Sequence, residues 1–180
     1  MRRWLVFLVL LAAATLTRAS SIEPTTALIS FDEDGGSLAA EFSINLGPRL
    51  EDALLHGVSL SFKLEFILER PRKYWVSEHI TSVARNYRLS YSALTRQYRL
   101  GYGGLQQSFA TLDDALRSIS RVSALPVVDR GTLRAATAYD AAVRLSLDRS
   151  QLPKPFQLEM LTSAEWQVDA TTRSWRFTSP

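Results

Sequence analysis

Between Val58 and Glu69 the chain sets Val58, Leu60, Phe62, Leu64, Phe66 and Leu68 at alternate positions, against Ser59, Ser61, Lys63, Glu65 and Glu69. Only an extended strand gathers residues of that period on one side, so the segment predicts a strand with one face on a core and the other in water. Phe62, Leu64 and Phe66 are expected inward. Pro71, in Arg70-Pro71-Arg72, has no amide to give a sheet ladder. It places the strand's end at an edge or corner, with Lys73 to Val76 resuming as extended chain.

The same period recurs in Leu38, Ala40, Phe42, Ile44 and Leu46, and in Tyr139, Ala141, Val143, Leu145 and Leu147. A weaker strand is expected over Thr26–Phe31, joined to the Leu38 strand by a turn at Asp32–Gly36. Asn86-Tyr-Arg-Leu-Ser-Tyr91 returns as Gln97-Tyr-Arg-Leu-Gly-Tyr102, which predicts the two arms of a hairpin linked by Ser92–Arg96 and ended by Gly101, Gly103 and Gly104. Val127-Val128 opens a further strand before a turn at Asp129–Gly131. Trp166–Val168 and Trp175–Phe177 predict a final hairpin, after an extended crossing at Leu152–Phe156.

Two segments carry helix signals instead. Pro48 inside the first turn and Gly57 past the end bound a helix over 48–56, with Leu50, Ala53 and Leu54 as its apolar stripe. Thr111-Leu-Asp-Asp114 has capping-box form, and Leu112, Ala115, Leu116, Ile119 and Val122 follow at helical spacing. Many short strands, turns about every ten residues and two short helices predict a mainly β chain. The expected architecture is a single antiparallel sandwich of immunoglobulin-like type.

Arg2 and Arg3 precede an uncharged apolar run of 13 residues, Trp4 to Leu16. A membrane-spanning helix needs about 20 residues, whereas a run of this length, followed by Thr17-Arg18-Ala19 at a small-residue cleavage site, has the form of a secretory signal. The expectation is a signal peptide over residues 1–19 and one domain over 20–180, exported to the periplasm. Arg18 leaves an uncleaved inner-membrane anchor as the alternative. Without Arg2, Arg3 and Arg18, 18 of the 21 basic residues remain against 18 acidic ones. The domain is then neutral, and nucleic acid, which demands a basic footprint, is not an expected partner. The absence of cysteine removes disulfides, thiolate chemistry and a lipoprotein anchor together.

No catalytic residue, cofactor or metal ligand set emerges, and an enzyme is not expected. His56 and His79 are the only histidines, and His56 is expected to cap a helix C-terminus. No serine stands in Gly-x-Ser-x-Gly or Ser-x-x-Lys. Glu51-Asp52 and Asp113-Asp114 fall in the first turns of the two expected helices, where they answer the macrodipole. One stretch has a binding character: Lys63 to Arg99 holds eight cations against three acids and is rich in Tyr and Trp. Its candidate binding face is Arg72, Lys73, Arg85, Arg88, Arg96 and Arg99. In the Tyr-Arg hairpin the period of two sets Tyr87, Leu89 and Tyr91 against Arg88 and Ser90, and Tyr98, Leu100 and Tyr102 against Arg99.

Pro48-Arg-Leu-Glu-Asp-Ala-Leu54, Glu69-Arg-Pro-Arg-Lys-Tyr-Trp75, Leu94-Thr-Arg-Gln-Tyr-Arg-Leu100 and Leu152-Pro-Lys-Pro-Phe-Gln157 together resemble the bacterial domain-of-unknown-function 4390 family. The resemblance spans essentially all of residues 20–180. It implies a small exported protein of Gram-negative bacteria with a link to envelope signalling, and it supplies no activity or catalytic residues. The leading expectation is a periplasmic interaction module with an unknown protein or envelope component as partner, touching the membrane only through an uncleaved signal segment. The alternatives are a small envelope enzyme acting on a polar polymer through paired carboxylates and a carrier holding an apolar ligand between its sheets.

Overall fold

The Val58–Glu69 alternation folds as β3 (Leu60–Arg70), with Phe62, Leu64, Phe66 and Leu68 completely buried and Ser61, Lys63 and Glu65 half-buried. The computed structural model describes residues 20–157 and 168–180. The expected signal segment, residues 1–19, and the strand residues Trp166 and Gln167 lie outside the described residues. β3 pairs antiparallel with β4 (Glu78–Ser92) on one side and β8 (Ala138–Leu147) on the other. The sheet then extends through β5 (Gln97–Tyr102) to β6 (Leu105–Phe109) at one edge and to β10 (Thr172–Thr178) at the other.

A second sheet runs in the order β7 (Arg121–Asp129), β2 (Gly35–Asn45), β1 (Ser20–Phe31), β9 (Val168–Ala170). The two sheets share one core. Ile22, Leu38 and Phe42 from the smaller sheet join Phe62, Phe66, Tyr139 and Leu145 from the larger. Each such side chain contributes about 1.5–3 kcal/mol by leaving water, which lets a cysteine-free chain stand on its core alone.

The helices close the sides. α1 (Gly47–Leu55) buries Leu50, Ala53 and Leu54 and ends at His56. The Gly57 amide donates to the Leu54 carbonyl and the Val58 amide to that of Ala53, with Gly57 at φ +90°. This is the Schellman arrangement, and it turns the chain straight into β3. Because α1 begins at Gly47, Glu51 and Asp52 lie beyond its first turn rather than in it. α2 (Leu112–Ser120) is capped by the Thr111 hydroxyl, which accepts from the Asp114 amide, and it buries Ala115, Leu116 and Ile119. It packs against β2 and β7 on one side and β5 and β6 on the other, covering the gap between the sheets.

Several expectations are corrected. The structure is not wholly antiparallel, because β9 pairs parallel with the start of β1. The expected final hairpin is accordingly split between sheets: only Thr171 separates β9 from β10, too little for a hairpin loop, and its amide donates to the Ile22 carbonyl as the chain crosses over. Val122 belongs to β7, since Arg121 turns extended and stops α2. Residues 73–75 bend within a loop where extended chain was expected, and residues 154–157 are helical where an extended crossing was expected. β6 was not anticipated; Gly103 and Gly104, both at positive φ, form the two-residue turn that starts it.

Gly35 opens β2 at φ +139°, and a Cβ there would strike the Val128 carbonyl oxygen of β7. Gly35→Ala is expected to cost more than about 2 kcal/mol, because a disfavoured φ and a backbone clash act together. A denaturant midpoint equal to the wild type's would show that the β1–β2 turn relaxes freely.

Candidate binding face

The register of the larger sheet decides which cations can act together. Arg88 lies opposite Ser61 and Gly101, and Arg99 lies opposite Ser90 and Ser108. The two arginines are therefore diagonal neighbours across β4 and β5, a relation that sets residues about 7–8 Å apart. Both stand on the face turned away from the core, and Gly101 leaves that face flat between them. Arg88 is exposed and Arg99 half-buried. Neither has a hydrogen-bond or ion-pair partner among the described residues.

Two other cations on the same face are matched. Lys63 Nζ lies 2.6 Å from Glu65 Oε1, and Arg176 grips Asp140 through two hydrogen bonds of 2.6 and 2.8 Å. Arg144 joins this face from β8, opposite Glu65. Sequence reading missed it, because only the β3–β8 register brings residue 144 over to the hairpin.

The opposite side of the hairpin is aromatic, as expected. Tyr87 pairs with Tyr102 and Tyr91 with Tyr98, at ring separations of 5.7 and 4.9 Å. Arg85 belongs to this inner side, since it stands opposite Leu64 and two positions from Tyr87. Burial holds the Tyr87 phenol above its ordinary value, and the neighbouring Arg85 partly offsets that rise. The six candidate residues thus separate: Arg88 and Arg99 share a face, Arg85 turns inward, Arg96 sits in the β4–β5 turn, and Arg72 and Lys73 lie in the loop after β3.

That loop, residues 71–77, is pinned at its base by Glu78, which takes ion pairs from both Arg70 and Arg72. Arg72 foremost, with Arg70 behind it, holds the Glu78 carboxyl below its ordinary value of 4.5, and Arg176 holds Asp140 below 3.8. A carboxylate depressed in the fold contributes stability above its unfolded-state value and loses it as pH falls through its folded-state value. Glu78→Gln is therefore expected to lower Tm slightly at neutral pH and to converge on the wild type once pH falls below about 4.5. Parallel Tm curves through that range would remove the ion pair from the acid response.

Histidines and acids keep structural company. His56 caps α1, its Nδ1 2.8 Å from the Asp52 carbonyl oxygen. Asp114 is engaged by Thr111 and by Arg117. Among the described residues no cluster of three or more His, Cys, Asp or Glu could hold a metal ion. An open apolar groove of 480 Å³ lies at the seam of the two sheets, lined by Ala27, Leu28, Ile29, Phe31, Trp175 and Phe177. No helix among the described residues is long and apolar enough to cross a membrane.

A family model described as Domain of unknown function (DUF4390) matches residues 19–176. No curated protein and no solved structure matches the chain.

Proposed function

The chain belongs to the DUF4390 family, and since that membership assigns no activity, we propose that it is an exported, non-enzymatic interaction module of the cell envelope. The observation that carries this reading is the Arg88–Arg99 pair, two guanidinium groups without a partner among the described residues, on a strand face beside polar Ser90, Asn86 and Ser108. Unpartnered arginines keep their fork of donors for a carboxylate-bearing surface, protein or envelope polymer.

The strand order supports an immunoglobulin-like sandwich as part of the same proposal. Read as A to G, β7-β2-β1 follows E-B-A, and β10-β8-β3-β4-β5 follows G-F-C-C′-C″. Tyr139, at the start of β8, is buried and its hydroxyl accepts from the Arg134 amide, five residues upstream. A tyrosine corner at the start of strand F does the same.

Export, the other part of the proposal, rests on the signal-like apolar run at residues 4–16. Ser20, the first residue after the proposed cleavage site, starts β1 and is buried, and its hydroxyl donates to the Leu46 carbonyl just after β2. Mass spectrometry of the protein made in its host should find an N-terminus at Ser20, and an intact Met1 on a membrane-bound product would overturn the cleaved form. The binding role is tested by crosslinking in intact envelopes. Arg88→Ala with Arg99→Ala should weaken capture of the partner that the wild type retains, more so at low salt where exposed charges count most. Unchanged capture by a folded double variant would end the proposal for this face.

A further inference from the structure

Tyr74, Trp75 and Val76, at the end of the β3–β4 loop, are 81%, 81% and 91% exposed. The other exposed large apolar side chains among the described residues, such as Leu28, Leu55 and Leu105, stand singly along the chain. Such residues scattered one at a time need no explanation, whereas three in succession at a loop end do. The loop is also held out from the body, because Arg70 and Arg72 close its base on Glu78.

We propose that this tip seats the protein on a phospholipid headgroup interface, with Trp75, Tyr74 and Val76 entering the boundary between headgroups and acyl chains. The tip's apolar side chains are almost fully exposed and lie outside any strand, so they offer a protein partner neither a cleft around them nor a sheet edge. A lipid interface requires neither. Trp and Tyr are the residues that rest at headgroup level, one end apolar and the other wet. Lys73 completes the pattern: its Nζ lies 5.7 Å from the centre of the Tyr74 ring, where a long cationic side chain can keep its charge in the headgroups while its stem follows the aromatics down.

Charge decides which lipid surface. With Arg70 and Arg72 both engaged by Glu78, Lys73 is the loop's remaining cation. The acidic turn Asp32-Glu33-Asp34 lies at the same end of the molecule, since Phe31 meets Phe177, Phe177 pairs with Tyr139, and Asp140 pairs with Glu69 near the loop's base. Arg130, whose backbone adjoins Gly35, and Lys73 stand against the turn's carboxylates, so a strongly anionic surface gains no net attraction at this end. The surface is therefore mainly zwitterionic, and apolar contact provides most of the attraction. This end is also far from Ser20 and from the Leu94 turn; the 15-residue β4 that separates the tip from Leu94 spans about 45–50 Å. A tip seated in this way leaves the Arg88–Arg99 face free, so its partner binding and the lipid contact fail or succeed separately.

The chain has no cysteine, so a single introduced thiol reports from one place. In the full chain, an environment-sensitive fluorophore on Val76→Cys should shift to the blue when phosphatidylcholine vesicles are added. The same label on Leu94→Cys, 96% exposed at the far end, should not move. Adding Trp75→Ala to Val76→Cys should weaken vesicle binding about tenfold, and phosphatidylglycerol should alter it little. No shift at Val76, or a shift at Leu94 in its place, would overturn the proposal. A Val76 response to lipid-free envelope protein and not to vesicles would give the tip to a protein pocket and overturn it as well.

Discussion

Phe62→Ala is expected to lower the free energy of unfolding by about 3–5 kcal/mol, a large share of the roughly 5–15 kcal/mol that holds a domain of this kind together. Phe62 is completely buried near the start of β3, opposite Tyr87 on β4 and Leu147 on β8. Removing its ring forfeits the transfer energy of the lost atoms and leaves a void. The neighbours cannot close that void cheaply, because β3 is hydrogen-bonded on both edges. Ile67, on the outward face of the same strand and 41% exposed, is the internal control. Ile67→Ala should cost less than about 1 kcal/mol, the span of strand preference itself. Denaturant melts of the two variants give the comparison directly. A loss under about 1 kcal/mol at Phe62 would mean that the faces of β3 are reversed.

What made β3 legible was a local signal with one physical reading. Its alternation places alternate side chains in and out whatever the sheet's topology, and the same holds for Leu38–Leu46 and Tyr139–Leu147. Thr111 and Gly57 were equally plain, because capping depends on residues within one turn. The Tyr-Arg echo gave both the pairing and the faces of β4 and β5.

Errors arose where a distant contact decides the outcome. Nothing near Val168 announces that it will pair with Ser20 and run parallel to it, since that choice is settled by the edge left open on β1. Val122 keeps helical spacing with Ile119, yet it is drawn into β7 beside Ala40. The six candidate cations do not share one face for a different reason: they were grouped by nearness in sequence and not by strand period. Counting in twos from Tyr87 sets Arg85 on the tyrosine side at once. Arg144, by contrast, could be added only from the register of β8. The Lys73–Val76 tip, expected as extended chain, bends into a loop, because Tyr, Trp and Val favour extended backbone chiefly where a sheet buries them and these residues reach none.

The sharpest test of the two faces is at adjacent positions. Tyr87 is 4% exposed, with its ring packed against Tyr102, whereas Arg88 is exposed and unpaired among the described residues. Tyr87→Ala is expected to cost about 3 kcal/mol or more, since it empties an aromatic site in the core and also takes the phenol away from half-buried Arg85. Tyr87→Phe, which keeps the ring and loses only the hydroxyl near Arg85, should cost about 1 kcal/mol or less. Arg88→Ala should stay within about 0.5 kcal/mol of the wild type, as surface changes generally do. Capture of the envelope partner should sort the same variants differently. Tyr87→Phe should retain it fully, while the folded Arg88 and Arg99 double variant loses it. If Tyr87→Phe loses capture as severely as the arginine variant, binding depends on the hairpin's inner side, and the outer face carries nothing but solubilising charge.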